Sequence, residues 1–179
     1  MSNTTSKKTL IIMVAVFVLP VVLAKIALEN DWFNKASTNK GALLQPTLDL
    51  STMLKESSPT WRLLYILPEQ CDLRCENALF SINQVWLALG KESDRAQALV
   101  LTTPKSDKTA LASLADYPNV ATLSVDDTGP LAFQSVYVVD TLNNAMLFYQ
   151  ISEDKEEAVM ESRNMLADIK KLLKLSRIG

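Results

Sequence analysis

From Leu10 to Leu28 the chain reads LIIMVAVFVLPVVLAKIAL, an apolar run broken only by Lys25 near its far end. About nineteen helical residues reach across a bilayer core, so this run constrains the organisation more than any other feature: it predicts a transmembrane helix. The long stem of Lys25 lets its amine snorkel toward the headgroups. Lys7 and Lys8 precede the run, and Glu29 and Asp31 follow it. That asymmetry predicts an inside N-terminus and an exported remainder. A removable signal peptide is the competing reading, with Val22-Leu23-Ala24 as its cleavage site. The apolar character continues through Ile26, Ala27 and Leu28, which favours an anchor. Both readings carry the following domain to an oxidising compartment.

The remaining composition excludes whole classes of chemistry. Among 179 residues there is no histidine, which removes catalytic triads, His-ligated zinc or copper and an imidazole base. Lys+Arg 18 against Asp+Glu 20 gives a net charge of -2, so no basic field is present to hold a phosphate backbone and nucleic acid is not an expected partner. No phosphate loop, zinc spacing or hydrolase elbow is found.

Beyond the anchor, residues 29–60 turn polar and loop-like, with Asn34, Ser37, Thr38, Asn39, Gly41, Pro46, Ser57, Ser58 and Pro59. They predict a tether whose apolar pieces, Ala42-Leu43-Leu44 and Leu48 to Leu54, lie along a domain surface. Trp61 to Leu67, WRLLYIL, reads as a buried strand. The next helix sets Cys75, Ala78, Leu79, Ile82, Trp86 and Leu89 on one face and stops at Gly90. Ala98 to Leu101 reads as a second buried strand. A second helix opens at Pro104-Lys105-Ser106-Asp107 and closes at Pro118. Val120 to Val125 is a weaker strand. Val136 to Asp140 and Ala145 to Tyr149 form a hairpin around Thr141 to Asn144. The last helix carries Glu153, Asp154, Glu156 and Glu157 early and Lys170, Lys171 and Lys174 late, as the helix dipole favours. The expected fold class is therefore α/β: a mixed sheet with helices on both faces, preceded by one N-terminal transmembrane helix. That element order, with Cys71 and Cys75 where the first strand meets its helix, resembles the thioredoxin fold, another α/β sandwich being the alternative. The expected boundaries are a cytoplasmic tail 1–9, an anchor 10–28, a linker with a surface-lying segment 29–60 and a domain 61–179.

Cys71 and Cys75 are the only cysteines, four residues apart where the first strand hands over to its helix. Residues at that helical spacing share a face, at a separation a disulfide tolerates. A first-turn Cys71 would gain thiolate character from the dipole, while Glu69, Asp72 and Glu76 oppose it and Arg74 assists it. Three roles stay open: a structural bridge, a redox couple, or soft thiolate ligands for cuprous copper. A bridge over so short a loop removes little unfolded-state entropy, which tilts the reading toward function. Met146, Met160 and Met165 are possible thioether donors but suit apolar packing, and Asp126 and Asp127 suit a solvated turn.

Trp61-Arg62-Leu63-Leu64-Tyr65, Cys71-x-x-x-Cys75 and Val136-Tyr137-Val138-Val139-Asp140 before a hairpin together resemble the Sco (SenC) proteins. These are anchored thioredoxin-like copper chaperones of cytochrome c oxidase assembly. The chain is most similar to small Sco-related oxidase biogenesis proteins that keep the cysteine pair and lack the copper-ligand histidine. Here Asp72 follows the first cysteine in place of the usual proline, and Leu131 to Ser135 hold no histidine. The resemblance implies an inner-membrane protein with a periplasmic domain. It also implies thiol-disulfide exchange through Cys71 as nucleophile and Cys75 as resolving thiol, and an oxidase subunit or another assembly factor as partner. Copper on Cys71 and Cys75 is the alternative it implies, and a non-enzymatic assembly factor with an inert bridge is a further one.

Overall fold

A computed structural model describes residues 3–29, 39–55 and 58–176, which fall into two compact units divided after Thr38. The first unit is one helix, α1 (Asn3–Glu29). Its stretch Lys7–Ala27 is long and apolar enough, by length and composition, to cross a membrane.

The second unit is built on a six-stranded sheet in the order β1-β6-β5-β2-β3-β4. The strands are β1 (Ala42–Asp49), β2 (Trp61–Ile66), β3 (Ala96–Thr102), β4 (Val120–Ser124), β5 (Ser135–Val139) and β6 (Asn144–Gln150). β2 runs parallel to β3, and β3 to β4, while the β5, β6 and β1 pairings are antiparallel. The mixed sheet expected from the apolar runs is thus present, and β2 and β5, buried along their whole length, lie at its centre. Interspersed are α2 (Leu73–Leu89), α3 (Lys108–Ser113) and α4 (Lys155–Leu175). Gly90 ends α2 at a φ of 58°, a conformation that glycine reaches without a Cβ penalty.

The layering differs from the expected one. Buried residues of α2 (Ala78, Ile82), α3 (Ala110) and α4 (Met165, Ile169) join a single core against Leu63, Tyr65 and Val100. The opposite core, around Leu64, Ile66, Leu99 and Val139, is closed by Leu50, Leu54 and Leu131 from irregular chain. The reason is topological: β2, β3 and β4 step in one direction as parallel neighbours, so two right-handed crossovers bring α2 and α3 to the same face. The return from β4 to β5 passes through the turn Thr128-Gly129-Pro130-Leu131, where the Leu131 N–H donates to the Thr128 carbonyl.

The predicted linker also changes character. Ala42–Asp49 is a sheet strand, and Leu50 and Leu54 are fully buried. Pro46 hides this strand in the sequence, but a proline is tolerated at a sheet edge, and the pairing with β6 shifts register between Leu43 and Leu48 to pass it. Residues 30–38 and 56–57 of that stretch, with Asn34, Ser37, Thr38 and Ser57, lie outside the described residues.

Candidate functional site

The parallel pairing of β2 and β3 brings their C-terminal ends together, and the loops that follow are tied to each other. The Ser106 hydroxyl donates to the Leu67 carbonyl at 2.7 Å, and the Asp107 N–H donates to the Pro68 carbonyl at 2.8 Å. Asp107 then returns the bond: its Oδ2 accepts the Cys71 N–H at 3.0 Å, while its Oδ1 accepts Thr109 N–H at 2.8 Å and Ala110 N–H at 3.2 Å as the cap of α3. These bonds, led by the Cys71 amide, hold the Asp107 carboxyl below the usual carboxylate range.

Cys71 stands outside α2. Asp72 is the N-cap, its Oδ1 accepting the Cys75 N–H at 3.0 Å, so the first-turn position considered for Cys71 belongs to the residues after it. The cap preference of Asp is the sequence signal for this boundary. Cys71 and Cys75 are joined in a disulfide with their Cα atoms 5.1 Å apart. The two sulfurs meet water differently. Cys75 is fully buried in the helical core, whereas Cys71 is half-buried and lines an open depression of about 330 Å³ with Glu76, Leu79, Asp107, Asp116 and Tyr117.

The surrounding charges are mostly engaged. Arg74 pairs with Glu153 at 3.0 Å and donates to Gln134 Oε1 at 3.0 Å, and Glu69 pairs with Lys105 at 3.7 Å. In the same core as Cys75, the buried Tyr65 hydroxyl has no hydrogen-bond partner among the described residues. Burial first, and then the charge of Asp72, push its phenol above the ordinary range.

Residues 61–176 match the family of the transmembrane-like, thioredoxin-like, C-terminal domain. The chain belongs to this thioredoxin-like family. Its fold is thioredoxin-like, with a disulfide where the central strand gives way to its helix. Solved structures of Sco and thioredoxin-like proteins are among those it resembles. Apo Sco1 protein from Thermus thermophilus is 20% identical, with a TM-score of 0.48 over 66% of this chain and 83% of that one. Bradyrhizobium japonicum ScoI with copper bound is 17% identical, with a TM-score of 0.42 over 69% and 97%. A SCO1/SenC family lipoprotein from Bacillus anthracis is 14% identical, with a TM-score of 0.40 over 75% and 98%. No curated protein matches the chain.

Two thiolates suit a cuprous ion, with a low coordination number or a further donor. Among the described residues no three His, Cys, Asp or Glu side chains come together as a metal site, and the segment before β5 offers Gln134, already bonded to Arg74. Met165 is buried in the core, Met146 packs against it, and Met160 accepts a bond from Arg163 at 3.4 Å. Among the described residues, Cys71 and Cys75 are thus a pair of soft donors that no third His, Cys, Asp or Glu joins as a preformed cluster. Sequence reasoning found both cysteines and named Asp107 only as a helix opener; its bond to Cys71 spans 36 residues and depends on the β2/β3 pairing.

Proposed function

We propose that this chain is a membrane-anchored thiol-disulfide exchange protein of the bacterial inner membrane, with its domain in the periplasm, acting in assembly of the copper centre of cytochrome c oxidase. The observation that carries the exchange reading is the unequal burial of the pair: Cys71 lines an open depression and Cys75 is sealed beneath it. In the reduced protein a Cys71 thiolate would attack a partner disulfide. One partner sulfur leaves as thiolate, a mixed disulfide forms, and Cys75 displaces the other partner sulfur to close Cys71–Cys75. Two electrons pass to the partner, which departs as a dithiol. The anchor reading is supported by α1, and the oxidase destination rests on the sequence resemblance to Sco/SenC proteins.

The test is paired substitution in cells lacking the wild-type protein. Cys75→Ser should trap a mixed disulfide at Cys71 and abolish copper-centre assembly, while Cys71→Ser should abolish assembly and trap nothing. Normal assembly with both cysteines replaced would leave only a docking role with an inert bridge.

Copper as cargo is the second reading, favoured by the approach of two soft sulfurs within one short turn. On this reading the reduced pair would share the ion with a donor from its partner. The reduced full chain titrated with cuprous ion against a chelator is expected to show no tight one-to-one complex without that partner. A complex that survives the chelator and is lost in Cys75→Ser would make copper carriage the primary function.

A further inference from the structure

Asp107 divides its carboxylate between two tasks. Oδ1 caps α3 through Thr109 and Ala110, and Oδ2 alone holds the Cys71 amide. Its own N–H reaches Pro68, three residues before Cys71, so the cysteine loop is held from both directions by one residue. We propose that Asp107 is the clasp of the redox pair, a positioning residue that keeps the Cys71 loop in the disulfide-closed conformation and couples it to the start of α3. This rests on the thiol-exchange reading and adds to it a residue that sets the oxidised-to-reduced balance.

The Cys71 amide bond to a carboxylate is charge-assisted and belongs to the geometry in which Cys71 lies against Cys75. The bond therefore favours the closed form, and the negative charge of Asp107 keeps an opened Cys71 on the thiol side. Opening requires two electrons and two protons: a dithiol reductant breaks the Cys71–Cys75 bond, leaves two thiols, and becomes a disulfide itself.

Asp107→Asn separates the two tasks. An amide has one oxygen, which can cap α3 as well as an aspartate does, and its NH2 then meets the Cys71 N–H donor to donor. The fold should persist and the clasp should open. Asp72→Asn is the control for charge, because Asp72 accepts the Cys75 N–H through Oδ1 only and an amide oxygen can replace it. Asp107→Ser, which caps but lacks the second oxygen, is the second variant.

The experiment equilibrates the full chain in detergent micelles with mixtures of reduced and oxidised dithiothreitol at pH 7 and counts free thiols by alkylation. Asp107→Asn and Asp107→Ser should each shift the equilibrium roughly tenfold toward the dithiol, about 30 mV for this two-electron couple, and Asp72→Asn by about threefold at most. Asp107 variants within twofold of wild type would overturn the clasp. So would an Asp72→Asn shift equal to that of Asp107→Asn, since charge alone would then suffice. A wild-type pair that glutathione cannot open would count against thiol exchange, and the variant-to-wild-type ratio in dithiothreitol would still decide the clasp.

Discussion

Asp107 and Asp168 each gather three donors onto one carboxylate, and they do so in opposite surroundings. Asp107 stands at the open lip and binds Cys71, Thr109 and Ala110 through two oxygens. Asp168, on α4, is buried and gathers its three donors on Oδ2: Lys40 N–H at 2.7 Å, Gly41 N–H at 2.9 Å and the Tyr149 hydroxyl at 2.7 Å. A side chain at Gly41 would put its Cβ 2.5 Å from the Tyr149 ring, so only glycine fits the chain passing over this tyrosine. One carboxylate holds a loop whose covalent partner can open. The other rivets the entrance of the edge strand β1 to α4 and has nothing to release. The same chemistry serves exchange or permanence according to what covers it.

The largest way to break this comparison is to remove the rivet. Asp168→Ala strands two backbone N–H groups and a buried hydroxyl at once, and should cost about 3 kcal/mol of stability, read as a lowered denaturant midpoint. The redox equilibrium of Cys71 and Cys75 should stay within twofold of wild type. A parallel shift in that equilibrium would show that the two carboxylates belong to one cooperative unit.

How these regions read in the sequence follows from the range of the interactions that make them. WRLLYIL was legible as a strand because burial on both faces leaves a continuous apolar run, and it lies within one residue of β2. The closing helix was legible from its charge gradient, and Asp154 indeed caps it through Glu156 and Glu157 N–H. β1 was missed because an edge strand is defined by its partner: Pro46 and the flanking polar residues look like linker until β6 supplies the pairing. The cysteines were legible as a pair, while the carboxylate that holds one of them lies beyond the next strand. Asp168 gave no signal at all, being one acid in a helix rich in charge, distinguished only by the fold that buries it. Local chemistry could be read directly; a long-range hydrogen bond needed the register first.

pH separates the two regions more finely, because they lose their stabilising contribution at opposite ends of the scale. At the rivet, burial first and then the bond to Asp168 raise the Tyr149 phenol above its ordinary range, and burial does the same for Tyr65 in the core that holds Cys75. A phenol whose folded pKa lies above the unfolded value of about 10 contributes fully below that pH. As pH rises further, the unfolded chain releases its proton first. Stability should therefore fall above pH 10 by up to about 1.4 kcal/mol per pH unit for each tyrosine. Tyr65→Phe should leave stability at pH 7 unchanged or raised, since the hydroxyl has no partner among the described residues, and should remove one proton's worth of the alkaline slope. At the lip the sign reverses. The Asp107 carboxyl is held below its ordinary range, led by the Cys71 amide, so its contribution is complete above about pH 3.9 and is lost as pH falls through the folded value. That effect is the smaller of the two because the carboxylate stays in contact with water. Denaturant midpoints of the full chain between pH 2 and 12 check both limbs. Asp107→Asn should flatten the acid limb and leave the alkaline one intact, and flattening of the alkaline limb by the same substitution would mean that the lip and the sealed tyrosines unfold as one.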